Sequence, residues 1–187
     1  RDLEQAITHG KEQVRLEPEN RKARTRLAVF YLVAHRWDEV LGIVAPMLQR
    51  EPDDWELTNL FYQALIGRHD FAGALTVAKQ MASRHPDNAE AQYLLAMEHW
   101  RQEHYEEALE AARRVIVLQP NSANAHGMMA QSSTRLHRWG PAIESAETAL
   151  RLEPNNPYRY NMAAHAYLGV GDPKRAVELT QHALSRW

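Results

Sequence analysis

Apolar residues along this chain recur at helical spacing, three or four positions apart, with short polar breaks between the runs. Leu27, Ala28 and Tyr31 fall on one face, and Val40, Val44, Met47 and Leu48 repeat the arrangement after a break. The same figure returns as Phe61, Tyr62 and Leu65, then Ala74, Ala78 and Met81; as Leu95 and Ala96, then Ala108, Ala112 and Val115; and as Met129 and Ala130, then Ala142, Ala146 and Ala149. It returns once more as Ala163, Ala164 and Tyr167, then Ala176 and Ala183. A 3.6-residue period with no strict alternation predicts helices and no strands. A lone helix over 2–17 is followed by helix pairs over 21–52, 55–86, 89–120, 123–154 and 157–186, eleven helices in all. Alanines recur in the same slots because two helix backbones must approach closely there, and alanine does this at no propensity cost.

The breaks are as regular as the runs. Pro18, Pro52, Pro86, Pro120 and Pro154 stand 34 residues apart, as do the aromatics Trp37, Phe71, Tyr105 and Trp139. A fixed period of this length marks an array in which each unit is one supersecondary element. Each proline ends the second helix of a pair, and each aromatic ring covers the turn ahead of that helix. Asp87-Asn88, Asn121-Ser122 and Asn155-Asn156 supply capping side chains, and Pro157 and Pro173 fall at first helical positions. Pro46 inside a helix predicts a kink, and Tyr62, where other units have alanine, predicts that the second and third pairs sit slightly further apart or tilt.

These residues resemble the tetratricopeptide repeat, with Ala89 to Ser122 the best match through Leu95-Ala96, Tyr105, Ala108, Ala112 and Pro120. The resemblance spans essentially the whole chain and implies an all-α fold, an α–α superhelix or right-handed solenoid of antiparallel helix pairs. It divides the chain into a partial repeat over 1–20 and full repeats over 21–54, 55–88, 89–122, 123–156 and 157–187. These form a single array, and Arg1 and Trp187 look like cut ends of a longer array or multidomain protein. One specialisation of the family grips acidic chaperone tails with a carboxylate clamp of Lys, Asn and Arg. The corresponding slots hold Thr25, Val29, Leu60, Glu90 and Leu94, and sliding by whole units supplies no cations either, which argues against a clamp.

Composition narrows the chemistry. The 187 residues carry 22 Lys+Arg against 24 Asp+Glu and no cysteine. Without a basic excess a dedicated nucleic-acid binder is disfavoured. Thiolate metal sites, disulfides and cysteine nucleophiles are excluded. The longest apolar run, Leu27 to Ala34, has eight residues, far below the roughly 18 of a membrane span. There is no phosphate loop, no His-Glu-x-x-His and no Gly-x-Ser-x-Gly, so no enzyme activity, cofactor or metal is expected. His35, His69 and His137 share one slot; equivalent residues in adjacent units stand on the order of 10 Å apart, too far for one zinc. They read instead as residues tolerant of strained backbone at a helix break. The basic group Arg21, Lys22, Arg24 and Arg26 reads as a solvated helix face.

First helices should line the concave side of such an array. Their inward slots carry Asn59, Gln63, Tyr93, Met97, Gln131, Asn161 and His165. Tyr93, Met97 and Trp100 form an i, i+4, i+7 stripe suited to anchoring a peptide, with Asn59, Gln63, Gln131 and Asn161 bonding its backbone. Trp100 has apolar equivalents, Leu32, Ile66 and Leu168, so it also reads as packing. The expected function is a non-catalytic protein–protein interaction scaffold. Two alternatives are an architectural spacer that self-associates through uncapped ends and a substrate-recruiting arm of a larger enzyme or a secretion or export assembly. Lack of cysteine and alanine- and arginine-rich helices fit a soluble protein of the bacterial cytoplasm or periplasm.

Overall fold

The computed structural model describes residues 2–186. Eleven helices and no strands occur among them, at the positions the repeat register predicts. Close backbone approaches divide the chain into two compact units, Arg1–Arg84 and His85–Trp187. The N-terminal unit holds α1 (Asp2–Leu16), α2 (Arg21–Val33), α3 (Trp37–Arg50), α4 (Trp55–Gly67) and α5 (Phe71–Arg84). The C-terminal unit holds α6 (Ala89–Arg101), α7 (Tyr105–Leu118), α8 (Ala123–Arg135), α9 (Trp139–Leu152), α10 (Pro157–Val170) and α11 (Pro173–Arg186). The terminal residues Arg1 and Trp187, on which the expectation of cut ends turns, lie outside the described residues.

Local chemistry sets each boundary. Helices α1, α3, α5, α7 and α9 end two residues ahead of Pro18, Pro52, Pro86, Pro120 and Pro154, where proline would clash with the preceding turn. The first helix of every pair starts on a side-chain cap: Asn20, Asp54, Asn88, Ser122 and Asn156 accept from backbone N–H groups of the first turn. Each first helix closes with the same pair of backbone bonds. The Arg36 N–H reaches the Tyr31 carbonyl (2.9 Å) and the His35 N–H reaches Leu32 (3.1 Å), an arrangement that repeats at His69, Glu103, His137 and Gly171. It requires left-handed backbone, and His35, His69, Glu103 and His137 have φ of 57°, 62°, 63° and 57°. The three histidines of the shared slot are therefore turn residues, as the sequence suggests. Each also meets the following aromatic edge-on, His35 with Trp37 at 5.0 Å and His137 with Trp139 at 5.2 Å. Helix α3 runs unbroken through Pro46, on its exposed face together with Gly42.

In the N-terminal unit the core joins Ile7, Leu27, Tyr31, Val40, Val44, Met47 and Leu57. In the C-terminal unit Ala96, Ala108, Ala112, Ala130, Ala142 and Ala146 are fully buried, letting paired helices close on each other. Tyr62 is buried in the slot these alanines define. The basic face of α2 is partly tied down: Arg21 pairs with Glu51 (3.1 Å), Asp54 and Glu56.

Candidate functional site

The face of the C-terminal unit made by α6, α8 and α10 carries two adjoining clefts. From α6 come Tyr93, Met97 and Trp100, successive positions along one stripe. They are half-buried, leaning on a cluster of Ala96, Ala111, Ala112 and Met128. Burial pushes the Tyr93 phenol above its ordinary range, against the opposing pull of Arg159. From α8 comes Gln131, whose Nε2 donates to the Tyr158 hydroxyl oxygen at 2.9 Å, and from α10 come Asn161 and His165. One cleft, of about 560 Å³, is lined by Trp100, Gln131, Arg135, His137, Trp139, Tyr158, Asn161 and His165 among others. The other, of about 340 Å³, is lined by Tyr93, Met97, Trp100, Arg101, Asn124, Gln131, Tyr158 and Arg159 among others. Trp100, Gln131 and Tyr158 are common to both. The Trp100 indole N–H is buried without an acceptor, and with Gln131 occupying its oxygen lone pair, the Tyr158 O–H is left to donate outward.

Six of the eight residues singled out by the sequence thus come together in this unit: Tyr93, Met97, Trp100, Gln131, Asn161 and His165. Asn59 and Gln63 belong to the N-terminal unit, where the Gln63 amide donates to the Asn59 oxygen at 3.2 Å. They do not line the cleft formed in that unit by Leu48, Phe61 and Val77 with their neighbours.

The most consequential residue of the site is one the inward-slot argument passes over. Arg159 occupies the slot held by Ala23, Leu57, Ala91 and Ala125 in other repeats, and its side chain is only 5% exposed. Its Nε donates to Glu153 Oε2 at 2.9 Å and its Nη2 to Asn124 Oδ1 at 2.6 Å. Room for the guanidinium exists because residue 127 is glycine: a Cβ there would stand 2.6 Å from Nη1. The signal was present in the sequence as a charged residue in an apolar slot and a glycine where its equivalents are Thr25, Asn59, Tyr93 and Asn161.

The Asn156 amide, which donates to Glu153 at 2.9 Å, and then Arg159 hold the Glu153 carboxyl below the usual carboxylate range. A carboxyl whose folded-state pKa is depressed stabilises the fold above its unfolded value and loses that contribution as pH falls through the folded value. Acid unfolding of the C-terminal unit is therefore expected to steepen below about pH 4.5, the ordinary carboxylate value. Glu153→Gln should flatten that part of the stability–pH curve; an identical slope in wild type and variant would remove this pair from the acid response.

The family model of anaphase-promoting complex, cyclosome, subunit 3 matches residues 67–149. No curated protein matches the sequence. Among solved structures, MamA (residues 41 to the end) from Desulfovibrio magneticus RS-1 is 19% identical with a TM-score of 0.82, over 88% of this chain and 93% of that one. A thermophilic tetratricopeptide-repeat protein of Thermus thermophilus is 21% identical with a TM-score of 0.68, over 88% of this chain and 90% of that one. At these identities the neighbours speak to fold. Together with the 34-residue register and the helix pairs, they show an all-α repeat fold of paired helices, similar to that of tetratricopeptide-repeat structures. Among the described residues no helix is long and apolar enough to cross a membrane.

Proposed function

We propose that this tetratricopeptide-type chain is a non-catalytic scaffold whose C-terminal unit takes an extended or helical peptide segment of a partner protein on the face of α6, α8 and α10. The observation that carries this reading is the cleft pair sharing Trp100, Gln131 and Tyr158: half-buried aromatic and thioether anchors flanked by amides. Such anchors supply affinity through desolvated area, while Gln131 and Asn161 can satisfy a peptide backbone. Methionine adapts to more than one apolar side chain. On the corresponding face of the N-terminal unit, Asn59 and Gln63 offer the same amide chemistry to a segment bound there.

Selection from a random-peptide phage library tests the proposal. The wild-type chain should enrich a peptide family, and Tyr93→Ser combined with Met97→Asp should reduce binding of those peptides at least tenfold with the helical circular dichroism preserved. Since both side chains also lean on the core, Asn161→Ala with His165→Ala, both exposed, provides a second variant, expected to weaken the same peptides severalfold. Peptides that bind all three proteins equally would sink the reading.

A further inference from the structure

We propose that the segment bound by the C-terminal unit carries an acidic side chain between apolar ones, and that its carboxylate is received where the two clefts adjoin, between Arg135 of one cleft and Arg159 of the other. The inference rests on the peptide-binding reading above and adds the chemistry of the occupant. The residues lining the two clefts include three arginines, Arg101, Arg135 and Arg159, and two histidines, His137 and His165, but no aspartate or glutamate. The bias is local, since the chain as a whole has a formal charge of −2. Two of the arginines have carboxylates behind them. Arg101 meets the buried Glu98 at 3.3 Å and Arg159 meets Glu153 at 2.9 Å. Arg135 is exposed and pairs with no carboxylate among the described residues, which leaves one positive charge, the charge of a single carboxylate.

Arg159 is built to take part. Glu153 and Asn124 hold its Nε and Nη2, which fixes the plane of the guanidinium; Nη1 lies against Gly127, with no hydrogen-bond acceptor among the described residues. A guanidinium already ordered by its neighbours loses little further freedom on binding, and a charge-assisted bond made in a partly desolvated cleft is stronger than one at the open surface. The Tyr158 O–H and the Asn124 amide N–H groups, freed by the orientation of Asn124 Oδ1 toward Arg159, add donors on the same side. The aromatics Tyr93, Trp100, Trp139 and Tyr158 would take the apolar neighbours of the acid. This is not the carboxylate clamp of the repeat family: in the unit register that spans this face, the clamp slots hold Tyr93, Met97, Met128, Tyr158 and Met162.

The test uses peptides selected by the wild-type chain. Selected sequences should be enriched in Asp or Glu, and replacing that acid by its amide should weaken binding by about tenfold, the loss of one charge-assisted hydrogen bond. In Arg159→Leu and in Arg135→Gln the acid and amide peptides should bind within about twofold of each other. Arg135 is exposed, so its variant reads binding even if Arg159→Leu folds poorly. Selected peptides without acidic enrichment, or an acid–amide difference unchanged in Arg135→Gln, would overturn the inference and leave the peptide-binding reading standing. Failure to select any peptide would instead remove the reading itself. A fluorescein-labelled oligothymidine that displaces the acidic peptide at lower concentration would mean that the arginines and aromatics serve single-stranded nucleic acid, and the inference would be wrong.

Discussion

Glu153→Ala is expected to cost about 2–3 kcal/mol of unfolding free energy, while Arg159→Leu should change stability by less than about 1 kcal/mol. The asymmetry follows from where each charge sits. Arg159 is 5% exposed and Glu153 40% exposed. Removing Glu153 leaves a buried guanidinium with only the neutral Asn124 oxygen and the Tyr158 ring, and the cost of an uncompensated buried charge dominates; it falls at the low end of the range for buried pairs because water reaches Glu153. Removing Arg159 leaves a carboxylate that keeps Asn156 and solvent. Leucine then fills a slot that Leu57 already occupies in another repeat, at 0% exposure. The double variant should be about as stable as Arg159→Leu alone, a coupling that a double-mutant cycle by chemical denaturation measures directly. If Arg159→Leu proved as damaging as Glu153→Ala, the arginine would be stabilising the fold. As expected here, it is instead a cation kept at little net gain, which is what a binding role predicts.

The second large effect concerns glycine. Within the N-terminal unit a Cβ on Gly67 would lie 2.4 Å from Trp37 Cε2, and within the C-terminal unit one on Gly169 would lie 2.2 Å from Trp139 Cζ3. Each of these tryptophans, the first residue of a second helix, thus lies on the backbone near the end of the next first helix. Gly67→Val and Gly169→Val should each cost about 2 kcal/mol: overpacking by about 1–3 kcal/mol, offset by the few tenths that valine gains over glycine in helix propensity. Gly42 and Gly140 have nothing within 4 Å of such an atom, so Gly42→Ala and Gly140→Ala should be neutral or gain up to about 1 kcal/mol. Thermal melts of the four variants check the contrast. If Gly169→Val melted with wild type, the tryptophan would have another rotamer at no cost, and the account of this seam would be wrong.

This seam also shows how much of the architecture was legible. The units with tryptophan at the start of the second helix have Gly67 and Gly169 thirty residues on; those with Phe71 and Tyr105 have Arg101 and Arg135. Both halves of that exchange stand in the sequence, but nothing in a one-dimensional pattern says that slot 37 touches slot 67. The candidate site divides the same way. Tyr93, Met97 and Trp100 were visible as a stripe because helical periodicity places them on one face. Arg159 was not, because a repeat argument assigns its slot to the core, and a charge there reads as a departure until a partner is seen.

The sequence by itself determined the helices, their pairing and their ends. Proline at 34-residue intervals, side-chain caps one residue ahead of each first helix and residues tolerant of positive φ at 35, 69 and 137 act through bonds that span only a few residues. Only the tertiary structure decided which of the candidate residues line the same clefts. The division into two compact units separates Asn59 and Gln63 from the other candidates, and Arg159 reaches the cleft only because Gly127, thirty-two residues earlier, leaves its place empty. Local signals fix backbone conformation because their partners are neighbours in the chain. A binding surface is made by side chains whose partners lie one repeat away, and their distances exist only once the helices have packed.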